Sequence, residues 1–318
     1  MITVETVAAA RAACDAARAA GKSVGFVPTM GYFHEGHRSL MRAARAANDF
    51  VVVSLFVNPT QFAPSEDLAK YPRDPEGDSA AAADEGVDLL FVPTVGEMYP
   101  EGARTRVHVD GLTTVLCGAS RPAHFDGVTT VVTKLFSIVG PCRAYFGRKD
   151  AQQLAVIRRM AIDLDLPVDV VGCPLVREPD GLAMSSRNAY LTAEQRDAAL
   201  ALSRALFLMG EAAARGERDA HTLRAVVVST ISAQPGVRLD YAEVVDAASL
   251  EPVERIETDT LIAVAAFVGD IRLIDNITIP APEPSARESS VSERPRAGYP
   301  GAQRANHGVG AMSGKQEK

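Results

Sequence analysis

Apolar runs alternate with segments of helical periodicity over residues 1–174. The runs are rich in Val, Leu and Phe and are bounded by turn residues, a pattern typical of buried parallel strands joined by helices. Strands are predicted at 24–28, 51–57, 88–92, 143–146 and 168–173. Helices are predicted at 39–47, 75–85, 128–139 and 150–165. This alternation predicts an α/β fold with about five strands in a Rossmann-like, doubly wound parallel sheet.

The pattern changes near residues 174–191, after which elements cluster by type instead of alternating. Two helices are predicted at 193–216 and 219–233, and three strands at 238–245, 260–268 and 271–278. Such clustering indicates a smaller α+β domain. We therefore predict an N-terminal domain over 1–174 and a C-terminal domain over 175–280.

Composition changes sharply at residue 281. Of the 38 residues from 281 to 318, 14 are Gly, Pro or Ser, and only four larger apolar side chains occur. A segment with so little apolar surface cannot offset the entropy of ordering its backbone. We predict that 281–318 is a disordered tail.

Charge and cysteine content narrow the function classes. The formal net charge of −7 argues against a general nucleic-acid binder, which needs surplus Lys and Arg. The four cysteines are widely spaced and include no C-x-x-C pair, which argues against a disulfide framework or a cysteine metal cage. No apolar run is long enough to span a bilayer and no secretory leader pattern occurs, so we expect a cytoplasmic protein that acts on small molecules.

A glycine-bearing turn, Pro28 to His37, joins the first predicted strand of the alternating series to a helix. Ligands of open α/β sheets bind outside the carboxyl ends of strands. His34 and His37 are three positions apart and share a face of the first helical turn, where backbone amides favour anions. The pair can hold nucleotide phosphates; the alternative is one capping and one packing histidine.

The His34-Glu35-Gly36-His37 sequence resembles the H-x-G-H motif of the nucleotidyltransferase superfamily, in which both histidines contact ATP phosphates. Further segments, in the same order and at similar spacing, resemble the pantothenate synthetase family over about residues 1–279. They are Pro28–His37, Phe56–Phe62, Tyr71–Arg73, Arg121–Val128, Lys149–Gln153 and Asp180–Asn188.

The resemblance implies a two-step ligation. Pantoate and ATP would give pantoyl adenylate and pyrophosphate, and the amine of β-alanine would then displace AMP to form pantothenate. The acyl adenylate is itself the activated intermediate, so positioning, charge stabilisation and exclusion of water are expected instead of covalent catalysis. The resemblance also implies a homodimer and a C-terminal domain that closes over the ATP site.

The family's site residues map onto matching positions of this chain. Those implied to act on the phosphates during catalysis are His34, His37, Lys149, Ser185, Ser186 and Arg187. The wider ATP set adds Met30, Gly147, Asp150 and Met184, with Asp150 expected at the ribose. Hydroxyls with a guanidinium suit triphosphate recognition. Without the family match, Lys149 and Asp150 would be taken as a solvated pair opening a helix.

The same mapping gives the other two substrates. Met30, Asn58, Gln61 and Gln153 are implied at pantoate, and Gln61, Arg121 and His124 at β-alanine. Mg²⁺ is expected with ATP because the ion is held by phosphates and one or two carboxylates. Asp78 falls where the family has an acid after Tyr-Pro-Arg and is the expected metal ligand; a solvent-facing helix residue is the alternative.

Two positions depart from the family pattern. Arg148 replaces the usual acidic residue beside Lys149, and Tyr32-Phe33 replaces a smaller pair before the first histidine. Two other functions therefore stay open at this point. One is a ligase or nucleotidyltransferase with a different acceptor, and the other is an inactive nucleotide-binding paralogue, which the extra charge at Arg148 suggests.

Overall fold

Six parallel strands form the larger of two sheets in a computed structural model, which describes residues 1–64 and 66–282. The strands are β1 (Ile2–Val4), β2 (Val24–Thr29), β3 (Phe50–Leu55), β4 (Leu89–Phe91), β5 (Cys142–Gly147) and β6 (Val168–Cys173). Their order across the sheet is β1-β4-β3-β2-β5-β6, and every neighbouring pair is parallel. The predicted Rossmann-like fold class is confirmed.

Helices cover both faces of this sheet. They are α1 (Val7–Ala19), α2 (Glu35–Ala47), α3 (Pro75–Asp84), α4 (Val95–Met98), α5 (Cys117–Ser120), α6 (His124–Val139) and α7 (Ala151–Asp163). Successive strand residues point to opposite faces. Phe26 and Val52 accordingly pack with α1, α6 and α7. Val27 and Val53 pack with α2 and α3.

The smaller sheet is antiparallel and lies against two helices. Its strands are β7 (Val237–Asp246), β8 (Thr260–Val268) and β9 (Ile271–Ile279), in that order across the sheet. The helices are α8 (Ala193–Ala214) and α9 (Ala220–Ser232), whose Leu202, Leu206 and Leu223 are buried against Ile262 and Val264. The predicted α+β segment is confirmed in its elements.

Residues Met1–Pro282 form one compact unit that contains both sheets, and the domain division at 174/175 stays a prediction. Of the predicted tail, only Ala281 and Pro282 belong to the described part of the chain, and 283–318 lie outside it. No helix among the described residues is both long and apolar enough to span a bilayer.

The order of the strands determines where a ligand can bind. The chain passes from β2 outward to β3 and β4, and later returns to place β5 on the other side of β2. The loops that leave β2 and β5 therefore diverge, which opens a crevice at their carboxyl ends. The Pro28–His37 turn follows β2, and Lys149 follows β5.

Candidate active site

A cavity of about 1090 Å³ lies at the carboxyl ends of β2 and β5. Its wall includes residues of β9 as well, so both sheets contribute to it. All but one of the site residues expected from sequence line this cavity. They are Met30, His34, His37, Asn58, Gln61, Arg121, His124, Gly147, Lys149, Asp150, Gln153, Met184, Ser185, Ser186 and Arg187.

The exception is Asp78, the expected metal ligand. Its side chain is 2% exposed, and it accepts the backbone N–H groups of Tyr32 (2.8 Å) and Phe33 (2.6 Å). Gly31 and Tyr32 have φ values of 87° and 54°, a left-handed bend that aims both N–H groups at the carboxylate. Asp78 therefore holds the loop after β2 and lies outside the cavity wall, and we do not retain it as a metal ligand.

The two histidines cap the start of α2. Gly36 N–H donates to His34 Nδ1 (3.1 Å), and His34 N–H donates to His37 Nδ1 (3.4 Å). Both Nδ1 atoms therefore act as acceptors, so in each neutral ring the proton lies on Nε2. The rings stack with centroids 4.1 Å apart. The pair thus presents two Nε2–H donors from the N-terminus of one helix.

Burial keeps both rings uncharged at neutral pH. It lowers the pKa of His34 to about 4, with a further contribution from the nearby Lys149 charge. Burial, His34 and Lys149 together lower the pKa of His37 to about 3. Cation character at this end of the cavity therefore comes from Lys149, while the histidines supply directional hydrogen bonds.

Lys149 projects from a short 3-10 turn, Arg148–Asp150, between β5 and α7. Its Nζ is 3.7 Å from Asp150 Oδ2, and both side chains line the cavity. Arg148, which departs from the family pattern, is exposed and donates through Nε to Gly172 O (3.3 Å). Its side chain is not part of the cavity wall, so the extra charge does not occupy the expected phosphate site.

The Met184–Arg187 segment lines the same cavity. Met184 N–H donates to Val176 O (3.0 Å), which closes a hairpin leading into the segment. Ser185 then caps the 3-10 turn Ser186–Tyr190 by accepting Arg187 N–H (3.3 Å). A Cβ added at Gly36 would lie 3.7 Å from Met184 Cβ, so this segment runs close to the histidine cap.

A buried amide pair defines another part of the wall. Asn58 Nδ2 donates to Gln61 Oε1 (3.0 Å) and to Gly127 O (3.1 Å), while Asn58 Oδ1 accepts Tyr99 Oη–H (2.8 Å). Gln61 Oε1 is thereby turned toward Asn58, and Gln61 Nε2 lies 3.1 Å from Met30 Sδ. The amide therefore offers donors to a ligand, as carboxylate or hydroxyl oxygens require.

Gly127 explains how α6 can approach this pair. A Cβ there would lie 2.4 Å from Thr60 O and 2.6 Å from Gln61 N, distances too short for any residue other than glycine. Glycine is thus required where the helix crosses the 3-10 turn Pro59–Gln61.

Arg121 is already paired in this structure. Its Nε and Nη2 donate to the two carboxylate oxygens of Glu66 at 2.7 and 2.6 Å, and Nη2 also donates to Gln61 O (3.3 Å). Burial alone would raise the pKa of Glu66, but the Arg121 hydrogen bonds and charge hold it below its usual value. Sequence reasoning missed Glu66, because no motif marks it and only the fold brings it to Arg121.

His124 is neutral as well. Burial lowers its pKa to about 4, with Arg121 contributing. Its Nδ1 lies 2.9 Å from Gln61 O, and a carbonyl can only accept, so Nδ1 carries the proton. His124 Nε2 therefore has a free lone pair, the opposite tautomer from His34 and His37.

Adjacent glutamines serve different purposes. Gln152 is buried and donates through Nε2 to Leu112 O (2.8 Å) and Val115 O (2.7 Å), and its Oε1 accepts Cys117 N–H (2.9 Å). These bonds hold the chain before α5. Both glutamines line the cavity, but these bonds use the Gln152 amide, so the half-buried Gln153 is the one of the two placed to meet a ligand.

Comparisons with known proteins agree on one family. A family model described as pantoate-beta-alanine ligase matches residues 2–278. The pantothenate synthetase of Moorella thermoacetica is 56% identical over 279 residues, which cover 88% of this chain and 99% of that protein. That of Heliobacterium modesticaldum is 57% identical over 259 residues, covering 81% and 92%.

Solved structures show the same likeness. Pantothenate synthetase from Thermus thermophilus matches with a TM-score of 0.83 and 51% identity, over 87% of this chain and 99% of that one. Pantoate-beta-alanine ligase from Francisella tularensis, solved in complex with β-γ ATP and β-alanine, matches with a TM-score of 0.72 and 33% identity, over 87% and 97%.

Proposed function

The chain belongs to the pantoate–β-alanine ligase family, whose enzymes make pantothenate from pantoate and β-alanine, and from this premise we propose that it uses ATP through a pantoyl adenylate. In the first step, a pantoate carboxylate oxygen bonds to the α-phosphorus of ATP and the bond to pyrophosphate breaks. In the second, the β-alanine nitrogen bonds to the acyl carbon, the bond to AMP breaks, and the nitrogen loses a proton.

The observation that carries this proposal is the arrangement of donors around one cavity. The Nε2–H groups of His34 and His37 and the Lys149 ammonium line one side, and Ser185, Ser186 and Arg187 line the same cavity from the hairpin. Charge that develops on departing pyrophosphate is stabilised by preorganised donors of this kind. We propose that the triphosphate lies between these two groups, with Met30, Gly147, Asp150 and Met184 completing the ATP contacts.

Pantoate would occupy the wall formed by the amide pair. Gln61 Nε2 and Gln153 can donate to its hydroxyl and carboxylate oxygens, while Asn58 fixes the direction of the Gln61 amide. Met30 lies beside Gln61 and offers a polarisable surface for the gem-dimethyl group.

β-Alanine is proposed to bind near Gln61, Arg121 and His124. The Glu66 pair uses Nε and Nη2 of Arg121, so a carboxylate would approach the remaining Nη1 edge. The lone pair on His124 Nε2 can accept an N–H of the incoming amine.

Magnesium would enter with ATP. The described residues contain no group of three or more His, Cys, Asp or Glu side chains that could hold a metal ion. Of the four described carboxylates in the cavity wall, Glu66 and Asp275 are paired with arginines, and Asp150 and Asp270 are not. We propose Asp150 as the protein ligand, because it lies beside Lys149 at the proposed phosphate site. One carboxylate fits Mg²⁺, because this ion keeps several of its waters and is held by substrate phosphates together with one or two carboxylates. When bound, it would lower the charge repulsion at the phosphates. Homodimer formation and a cytoplasmic location stay predictions from sequence.

The test is pyrophosphate release from ATP and magnesium. With pantoate alone we expect a burst of about one equivalent per active site, which becomes sustained turnover when β-alanine is added. The matched control is 3,3-dimethylbutanoate, which keeps the carboxylate and the gem-dimethyl carbon of pantoate in the same positions but lacks the two hydroxyls that Gln61 and Gln153 would bind; it should give no burst. Absence of a burst with pantoate, despite ATP binding, would contradict the adenylate scheme.

A further inference from the structure

Asp275 and Asn276, two successive residues in the middle of β9, reach the cavity from the smaller sheet. They are 3% and 7% exposed. No motif in the sequence marks them, and the whole of α8, α9, β7 and β8 separates them in the chain from the Met184–Arg187 segment. Each is hydrogen-bonded to a different chain segment of the proposed triphosphate site.

Asn276 fastens the turn that carries Lys149. Its Nδ2 donates to Arg148 O (3.0 Å) and to Lys149 O (2.8 Å), so one amide uses both of its hydrogens on successive backbone carbonyls. These carbonyls belong to the 3-10 turn from which the Lys149 side chain projects. The position of Lys149 relative to the smaller sheet is therefore held by this amide.

Asp275 fastens the hairpin that leads into Met184–Arg187. Its two carboxylate oxygens accept Arg177 Nη1 (2.6 Å) and Nη2 (2.9 Å), a bidentate pair. Arg177 Nη1 also donates to Gly181 O (3.1 Å), and Arg177 pairs with Ala183 across the hairpin. Asn276 N–H donates to Asp275 Oδ1 (2.7 Å), which joins the two fastenings.

We propose that Asp275 and Asn276 are positioning residues that set the separation between Lys149 and the Met184–Arg187 segment, and hence the width of the triphosphate site. Asn276 acts through Lys149, and Asp275 acts through Arg177. The inference rests on the proposed use of ATP, because the gap they set is the one assigned to the phosphates.

The test uses Asn276→Ala and Asn276→Leu; the second keeps a side chain of similar size, and both remove the two N–H donors without adding a charge. In the pyrophosphate assay with pantoate and β-alanine, where turnover is sustained, we expect both variants to raise the KM for ATP by about tenfold or more, as for loss of about 1.4 kcal/mol of binding. The KM for pantoate should change less than twofold. A residue that only supports the fold would not separate the two substrates in this way.

Asn48→Ala is the matched control. Asn48 is also 7% exposed, and its Nδ2 likewise donates two hydrogen bonds, to Ala44 O (2.7 Å) and Tyr145 Oη (2.8 Å), but Asn48 is not part of the cavity wall. We expect it to lower the melting temperature comparably and to leave the KM for ATP unchanged.

A double-mutant cycle separates action through Lys149 from a direct effect. In a Lys149→Ala background, Asn276→Ala should weaken ATP use less than twofold further, because its target is gone. Equal effects in both backgrounds, or an unchanged KM for ATP in folded Asn276 variants, would overturn the proposal. If Asn276→Ala does not fold, Asn276→Ser, which keeps one donor, replaces it in the cycle. Failure of the wild-type burst would instead count against the ATP scheme itself.

Discussion

For His34 and His37, the sequence predicts where the side chains lie, but only the folded chain determines their charge and tautomer. The H-E-G-H spacing predicted their position and their ligand class. Their charge and tautomer depend on burial, on Lys149 from a distant strand end, and on which backbone N–H each Nδ1 accepts. Those are properties of the folded chain, so sequence reasoning could treat the pair only as anion contacts.

Replacement of His37 should therefore remove a hydrogen-bond donor rather than a charge. We expect His37→Ala to lower the rate of the pyrophosphate burst by about a hundredfold or more, as for loss of one preorganised donor. His108→Ala is the control, since His108 is an exposed histidine paired with Asp126 (2.7 Å). Near-wild-type burst rates for His37→Ala would exclude it from catalysis.

Buried neutral histidines also make stability depend on pH. The pKa of His124 is lowered to about 4, against about 6.5 for a solvated histidine, so the unfolded chain takes up this proton first as the pH falls. The stabilisation is complete above about pH 6.5 and is lost as the pH falls toward about 4. Urea unfolding of wild type and His124→Gln at pH 7.5 and 5 should show a smaller acid loss in the variant; equal losses would contradict the assignment.

At the scale of elements, periodicity located most of the strands and helices, but α1 and β1 were not predicted. The buried residues of α1, Ala10, Cys14 and Ala17, recur at helical spacing, so that helix was within reach of the sequence. β1 escaped prediction because it has only three residues, which are exposed or half-exposed and show no alternation. It nevertheless pairs in parallel with β4 and completes the sheet. The loop after β2 was expected from its glycine, but its fastening to α3 through Asp78 joins parts of the chain that lie far apart in sequence, on either side of β3.

Substitutions at Asp78 distinguish its structural role in holding this loop from a role as a metal ligand. Asp78→Ala leaves the part-buried N–H groups of Tyr32 and Phe33 without their acceptor, which should cost about 2 kcal/mol and lower the melting temperature by several degrees. Asp84→Ala, on the same helix but 68% exposed, should change it little. We further expect Asp78→Asn to leave the Mg²⁺ concentration for half-maximal activity unchanged; a marked rise would restore Asp78 as a ligand.

At the scale of the whole molecule, the cavity combines residues that no local pattern groups. Motifs between Pro28 and Asn188 supplied the expected contacts, while Asp275 and Asn276 come from the last strand and became visible only through the packing of β9 beside Lys149. The fold class could be predicted because each sheet has its own periodicity. The relation between the two sheets could not, because it depends on side-chain pairs across long separations.

Removal of the predicted tail should leave the enzyme intact. Truncation after Pro282 keeps the hydrogen bond from Ala281 N–H to Asp259 Oδ1 (2.9 Å), the last one described near this end. On composition alone we expect a melting temperature within about 2 °C of the full chain and an equal turnover rate. A larger change in a thermal melt or in pantothenate formation would mean that residues beyond 282 pack on the enzyme.

The neutral state of the histidine pair affects how tightly the site holds anionic products. Hydrogen bonds between uncharged donors and an anion are directional but weaker than those of an ammonium or guanidinium group. Two neutral Nε2–H donors can therefore align the phosphates while binding free pyrophosphate less tightly than two imidazolium rings would. In the proposed reaction, which releases pyrophosphate and AMP, we therefore expect the neutral pair to hold these anions less tightly than a charged pair would.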